Sequence, residues 1–380
     1  MVMRTLEAAR EVCEKYLPGL QSALAALPFE EREAPGNPGL ELFRVHGGPG
    51  LVIPETYAGL AAGPVDALRV TRALASYSPS LAVATTMHHF SAATLFTLAD
   101  SVKNSGMEWA LLEGIATQQL LVASGFSEGR PGQGILTATM KAARTDGGYV
   151  VNGAKKPCSL SSSMDLLTAS VSVPTADGSE QLAVLLIPAG TAGISVHPFW
   201  GNRVLAGAES DEIRLTDVFV HDQLLIPTEQ ASGGMLDELQ TVGFIWFELL
   251  ISASYVGMAS ALVERAYQAR RTSAADLAAI AVRLETAAMV LENVARMLAA
   301  GEMGSDALAA ALLARYGAQD AITDTVRRTV ELLGGMEFIA EPTVAYLASA
   351  SHCLGFHPPS RASSATALAG YLSGDLLRMG

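Results

Sequence analysis

The sequence is short of cysteine, of aromatic residues and of positive charge. Cys13, Cys158 and Cys353 are three in number, with no Cys-x-x-Cys or Cys/His ligand spacing. That excludes a disulfide framework and a structural zinc site, and makes a reducing cytoplasm the expected compartment. Aromatic residues are 6% of the chain, so the cores must be built from Ala, Leu, Val, Ile and Met. Lys and Arg number 25 against 38 Asp and Glu, a formal charge of −13. No basic cluster interleaved with aromatics relieves that acidity, which excludes a nucleic-acid groove and disfavours a membrane surface. Long apolar runs are interrupted: the most apolar one contains Glu248, and none reads as a transmembrane span. Met1 to Lys15 carries charge throughout and lacks a secretory apolar core.

What is present is a chain of 380 residues, half of them hydrophobic and 17% charged, the composition of a well-buried globular protein. The first 120 or so positions read as helical, with clear helical spacing at Val65 to Tyr77 and Met107 to Leu121. The Gly- and Pro-rich stretch Pro35 to Gly50 reads as a loop. After Leu121 the texture changes to short β-branched or alternating segments at Tyr149–Val151, Leu166–Val173, Leu182–Ile187, Ile194–Phe199 and Glu212–Val220. Turn signals such as Asp146-Gly147-Gly148 separate several of them, which suggests a small antiparallel barrel or sandwich. From Gly233 the long apolar-periodic runs Phe244–Arg271, Ala275–Ala300 and Ser305–Leu333 predict a helical bundle, with further helices near Pro342–Ser351 and Ala362–Leu377. The expected organisation is an α+β chain: a helical domain over 1–120, a β domain over 121–228 and a helical bundle over 229–380.

Several segments in that order carry recognisable motifs. They are Val52-Ile53-Pro54-Glu55-Thr56-Tyr57-Ala58-Gly59-Leu60, Pro79-Ser80-Leu81-Ala82-Val83 with His88, and Ser127-Glu128. Tyr149-Val150-Val151-Asn152-Gly153-Ala154-Lys155, Trp200-Gly201-Asn202-Arg203 with Asp217-Val218-Phe219-Val220, and Glu331-Leu332-Leu333-Gly334-Gly335-Met336-Glu337-Phe338 follow. Together they make the chain resemble the acyl-CoA dehydrogenase superfamily over nearly its whole length. The resemblance implies an N-terminal helical domain, a middle antiparallel β-barrel domain and a C-terminal four-helix bundle. It also implies FAD between the β domain and the bundle, an acyl thioester against the flavin, and a homodimer or homotetramer that completes the flavin site across subunits.

By the same resemblance, Phe126, Ser127 and Ser159 face the flavin, and Gly334 and Gly335 belong to a cofactor-binding turn. Pro157 stands where the family usually has Trp, which suggests an altered flavin edge or substrate wall. The family's Arg–Phe–Gly–Gln diphosphate and adenine contacts are reduced to Arg271, leaving FAD, FMN, a diffusible reduced flavin or no flavin as options. Gly129 to Gly134 is not a phosphate loop, and it lacks the Ser and Asp of the family's substrate loop.

The family's usual catalytic Glu is missing: His352-Cys353-Leu354-Gly355-Phe356-His357-Pro358 occupies that region. Glu248, near the position a minority of the family uses, is the candidate base if it is not instead paired with a bundle Arg. His352 and His357 resemble the histidines of flavin monooxygenases built on this fold, where an imidazole could hydrogen-bond an oxygen adduct. His88 and His89 fit packing better than catalysis. Three readings follow in order. The first is an acyl-thioester dehydrogenase acting on CoA or carrier-protein substrates in specialised biosynthesis; the second is a flavin-dependent monooxygenase; the third is a member without redox chemistry.

Overall fold

The computed structural model describes residues 3–101, 106–130, 138–175, 178–228, 236–269 and 272–379. Seven helices come first: α1 (Arg4–Tyr16), α2 (Leu20–Ala26), α3 (Phe29–Arg32), α4 (Gly39–Val45), α5 (Pro64–Tyr77), α6 (Pro79–Ala99) and α7 (Met107–Gln118). α6 is apolar nearly all round and correspondingly buried, and Ser78 caps it by accepting the Leu81 N–H. The stretch Pro35 to Gly50 is not simply the loop its Gly and Pro content suggested. It contains α4, whose Leu40 and Phe43, one turn apart, bury on the core side.

Eight strands form one sheet: β1 (Val122–Gly125), β2 (Lys141–Thr145), β3 (Gly148–Cys158), β4 (Leu166–Pro174), β5 (Glu180–Pro188), β6 (Ile194–His197), β7 (Asp211–His221) and β8 (Leu225–Pro227). Their order is β6-β7-β3-β2-β4-β5-β8, with β1 beside β4. The sheet is mixed rather than wholly antiparallel. β1 runs parallel to β4, pairing Val122 with Leu166, and β2 meets β4 in parallel at Lys141 and Ser172. The cause is that the β2–β3 hairpin intervenes between β1 and β4, so the chain returns in the same direction. That hairpin closes on Asp146-Gly147, with Gly147 in the left-handed region (φ 71°) that glycine enters without steric cost.

Six helices complete the chain: α8 (Glu238–Gln268), α9 (Ala274–Ala299), α10 (Ser305–Leu333), α11 (Gly335–Ala340), α12 (Pro342–Ser351) and α13 (Arg361–Leu372). Asp237 and Gln240 form a capping box that starts α8. α8 is the central column and packs against α5, α6, α9, α10 and α12. By length and composition it could cross a membrane, but its most apolar stretch is wholly buried inside the protein. Gly257 lets α5 approach closely, since a Cβ there would lie 2.3 Å from the Arg72 carbonyl oxygen. Ion pairs fix the N-terminal helices to the bundle: Arg10 to Glu264, Arg69 to Glu292 and Arg72 to Glu285.

Candidate active site

A cavity of 310 Å³ opens between the sheet, α6, α8 and the turn after α12. Its size falls in the usual small-molecule range. α6 contributes Met87, Phe90, Ser91, Thr94 and Leu98, spaced at three and four residues so that they share one face. Gln240, Gly243, Phe244 and Phe247 do the same on α8. The sheet side offers Phe126 and Ser127 just past β1, Pro157 and Ser159 around the end of β3, and Ser210 before β7. This side is rich in hydroxyls, and the helix side is largely apolar and aromatic.

Of the residues singled out from sequence, Phe126, Ser127, Ser159 and His357 line this cavity together. Ser159 Oγ lies 2.9 Å from Ser210 Oγ, and Ser127 Oγ accepts the Gly129 N–H at 3.4 Å. Behind Ser127, Glu128 accepts from Lys155 Nζ at 2.8 Å and from the Thr139 N–H at 2.8 Å. Burial pushes the Glu128 carboxyl up, but these donors more than offset it and hold the group at about 2. Lys155, wholly buried, also donates to Ser170 Oγ. The sequence motif that ends in Lys155 therefore supplies an anchor directly beneath the cavity wall.

A second anchor lies under the 205–210 loop. Glu33 accepts from Ser80 Oγ, Tyr346 Oη and Ser78 Oγ, and Tyr346 Oη in turn accepts the Leu205 N–H at 2.7 Å. Burial raises the Glu33 carboxyl to about 7 against these hydrogen bonds. Leu205 and Ser210, at the two ends of that loop, line the cavity.

Glu248 is not where a base acting in this cavity would have to be. It is fully buried and receives Arg315 Nη1 at 3.0 and 2.8 Å on its two oxygens, and it is not among the lining residues. Burial raises its carboxyl and the guanidinium pulls it back. Since Arg keeps its proton in proteins, the two form a charged pair. The physical reason is helix geometry: Phe247 points into the cavity, so the next residue, about 100° round the helix, points toward α10. Among the described residues the cavity lining has one carboxylate, the helix-capping Asp237.

His357 lies between two aromatic residues of α8, edge-on to Phe247 with centroids 6.2 Å apart and to Tyr255 with centroids 5.6 Å apart. Its Nε2 is 2.8 Å from Tyr255 Oη. Desolvation, with a smaller push from Arg315, lowers the imidazole to about 3, so it is neutral near pH 7. Tyr255 is pushed far above its ordinary value by burial and keeps its proton. His352, five residues earlier, is exposed and stands outside the cavity. Gly334 caps the end of α10 and Gly335 opens α11, both outside the cavity lining, and an added Cβ at either would meet nothing. Arg271 and residues 131–137, which include the end of the Gly129 to Gly134 cluster, lie outside the described residues. His88 is structural: Nδ1 accepts the Val122 N–H and Nε2 reaches the Pro49 carbonyl, which ties α6 to β1. Sequence reading did not single out Tyr255 or Arg315. The available signals were the helical register of Tyr255 with Phe247 and a lone Arg inside the Ala/Leu-rich run of α10.

No protein-family model matches the chain. It is 50% identical over 378 residues to an isobutylamine N-hydroxylase of Streptomyces viridifaciens, covering 99% of this chain and 100% of that protein. A mitochondrial isovaleryl-CoA dehydrogenase of Arabidopsis thaliana is 23% identical over 189 residues, 49% of this chain and 44% of that one. Among solved structures, a nitrososynthase from Micromonospora carbonacea var. africana superposes with a TM-score of 0.84 at 20% identity, over 97% of each chain.

Proposed function

The chain belongs to the acyl-CoA dehydrogenase-like superfamily and is a flavin-dependent enzyme, and from that premise we propose that it is a monooxygenase that N-hydroxylates a small aliphatic primary amine. One observation carries the choice within the superfamily: the cavity wall holds a neutral imidazole, His357, while Glu248 is committed to Arg315. Removal of a proton α to a thioester needs a base in reach, and among the described residues the wall offers only the helix-capping Asp237 as a carboxylate. Full-length identity to an amine N-hydroxylase supports the same choice.

The residues fit a flavin. Ser127 and Ser159 supply polar contacts for a ring edge, and Phe126, Pro157 and Trp200 supply apolar surface for its faces. When bound in its reduced form, the flavin supplies the two electrons that activate dioxygen. One oxygen atom goes to the amine nitrogen, giving a hydroxylamine, and the other leaves as water. The apolar face of α6 and α8 holds the alkyl group and excludes water. Tyr255 Oη and His357 Nε2 share a hydrogen bond at 2.8 Å, and in our reading the hydroxyl, which keeps its proton, is the donor, the tautomer that puts the ring proton on Nδ1. Nδ1 has no protein hydrogen-bond partner among the described residues, so its N–H is the donor available to the departing oxygen.

FMN or FAD is the flavin in this reading, and structures of a KijD3 and of a TdsC that share the fold hold FMN; the supply of it as a diffusible reduced flavin is part of the proposal. The three-part organisation over 1–120, 121–228 and 229–380, a cytoplasmic setting and a homodimer or homotetramer belong to the same reading. Met336 and Ile339 on α11 leave exposed apolar surface that suits subunit packing. The test supplies the protein with reduced FMN or FAD, ¹⁸O₂ and isobutylamine. Labelled N-hydroxylamine supports the reading. Unsaturated thioester formed from a branched acyl-CoA, with no oxygen incorporation into the amine, contradicts it.

A further inference from the structure

Glu248 and Arg315 are fully buried, yet neither has a part in the chemistry above. We propose that this pair is a positioning device for His357: Arg315 grips the backbone of residues 354–358 and Glu248 fixes Arg315 to α8, so that the imidazole is held against the cavity. The inference rests on the reading of His357 as the proton donor of an N-hydroxylase.

The two terminal nitrogens of the guanidinium both reach one short stretch of chain. Nη2 donates to the Leu354 carbonyl at 3.2 Å and to the His357 carbonyl, and Nη1 donates to the Pro358 carbonyl at 3.2 Å. Three carbonyls gathered by one cation fix the path of the backbone on both sides of His357. Nη1 also meets both oxygens of Glu248. Glu248 and Tyr255 are seven residues apart on α8 and so share a face. α8 therefore holds this turn twice, at its backbone through Arg315 and at the imidazole through Tyr255.

Stability alone does not explain the pair. A buried ion pair can often be exchanged for apolar residues of similar volume without loss, and the surrounding bundle is built from such residues. The fork of an Arg places its donors on two separate nitrogens, Nη1 and Nη2, and so reaches carbonyls on both sides of His357 while holding Glu248, a spread that the point charge of a Lys does not reproduce. The groups that act on the imidazole are Tyr255 and Phe247 from α8 and Arg315 from α10, while Cys353 of its own turn lines the same cavity and acts on Tyr255.

The test uses Arg315→Lys, which keeps the charge beside Glu248. It also uses the double variant Glu248→Leu/Arg315→Met, which removes the pair without stranding a charge if the single variant does not fold. Glu292→Gln, which breaks the distant Arg69 pair, is the control for general destabilisation. Two readouts are taken: the ¹⁵N-histidine NMR titration of His357 in flavin-free protein, and hydrogen peroxide released per amine hydroxylated. In Arg315→Lys, which keeps the charge that the double variant removes, the His357 titration should rise by about one unit or more toward the ordinary histidine value. Peroxide per product should rise about fivefold or more, with KM for the amine within about twofold. Folded variants whose titration matches the wild type overturn the proposal. A moved titration with unchanged peroxide yield keeps the positioning role and overturns the reading of His357 as donor. If the wild type hydroxylates no amine, the function reading falls, and the titration still decides whether the pair positions His357.

Discussion

The two walls of the cavity are braced alike and lined differently. On each wall a lining residue is followed directly by a buried carboxylate paired to a buried cation: Ser127 by Glu128 with Lys155, and Phe247 by Glu248 with Arg315. On the sheet side the lining above the brace is hydroxyl-bearing, Ser127, Ser159 and Ser210, suited to the edge of a heteroaromatic ring. On the helix side it is Phe247 and Phe244 with one imidazole, suited to an alkyl substrate and one proton. Both pairs stiffen a wall, and the residues in front of them decide what is bound.

The largest expected effect tests whether the helix-side pair is the more dependent of the two. Glu248→Ala leaves Arg315 buried without its anion and should cost about 3–5 kcal/mol in urea unfolding. Close in size is an effect of pH at the sheet side, through Glu33. Its folded value of about 7 lies above its ordinary 4.5, so the folded state keeps a proton that the unfolded chain has shed. Stability from this group is full below pH 4.5 and is lost as pH rises to about 7. Glu33→Gln should flatten that slope by about 3 kcal/mol between the two ends. A smaller loss, about 1–3 kcal/mol, is expected for Lys155→Met, because Glu128 keeps Thr139 and the Met140 N–H as donors. If Lys155→Met costs more than Glu248→Ala, the contrast between the braces is wrong. The smallest effect is functional: Ser159→Ala should weaken reduced-flavin binding by about 1 kcal/mol, roughly fivefold, in a fluorescence titration, and leave the apparent affinity for amine unchanged.

Much of this was legible in the residues. α10 and α12 fall where apolar periodicity and the Gly334-Gly335 break put them, because a long amphipathic run needs only local spacing to be read. β1, β2 and β8 were missed, since strands of three to five residues carry too little alternation and take their identity from partners far along the chain. That Ser127 and Ser159 belong to one site was legible because they sit in ordered motifs beside recognisable strands, and both line the cavity. The role of Glu248 was legible only as a choice between a base and a partner for a bundle Arg. Its burial followed from the apolar helix around it, but which of two adjacent positions faces the cavity depends on the rotation of α8 against α10. A partner 67 residues away decided it.

The account turns on what happens to the two electrons and the dioxygen. The most direct measurement is a single turnover of protein loaded with reduced flavin, mixed with ¹⁸O₂ and isobutylamine and quenched for mass spectrometry. One labelled oxygen on the amine nitrogen, with less than one equivalent of peroxide, is the predicted result. A full equivalent of peroxide with unlabelled amine, under conditions where flavin binding is saturated, would contradict it.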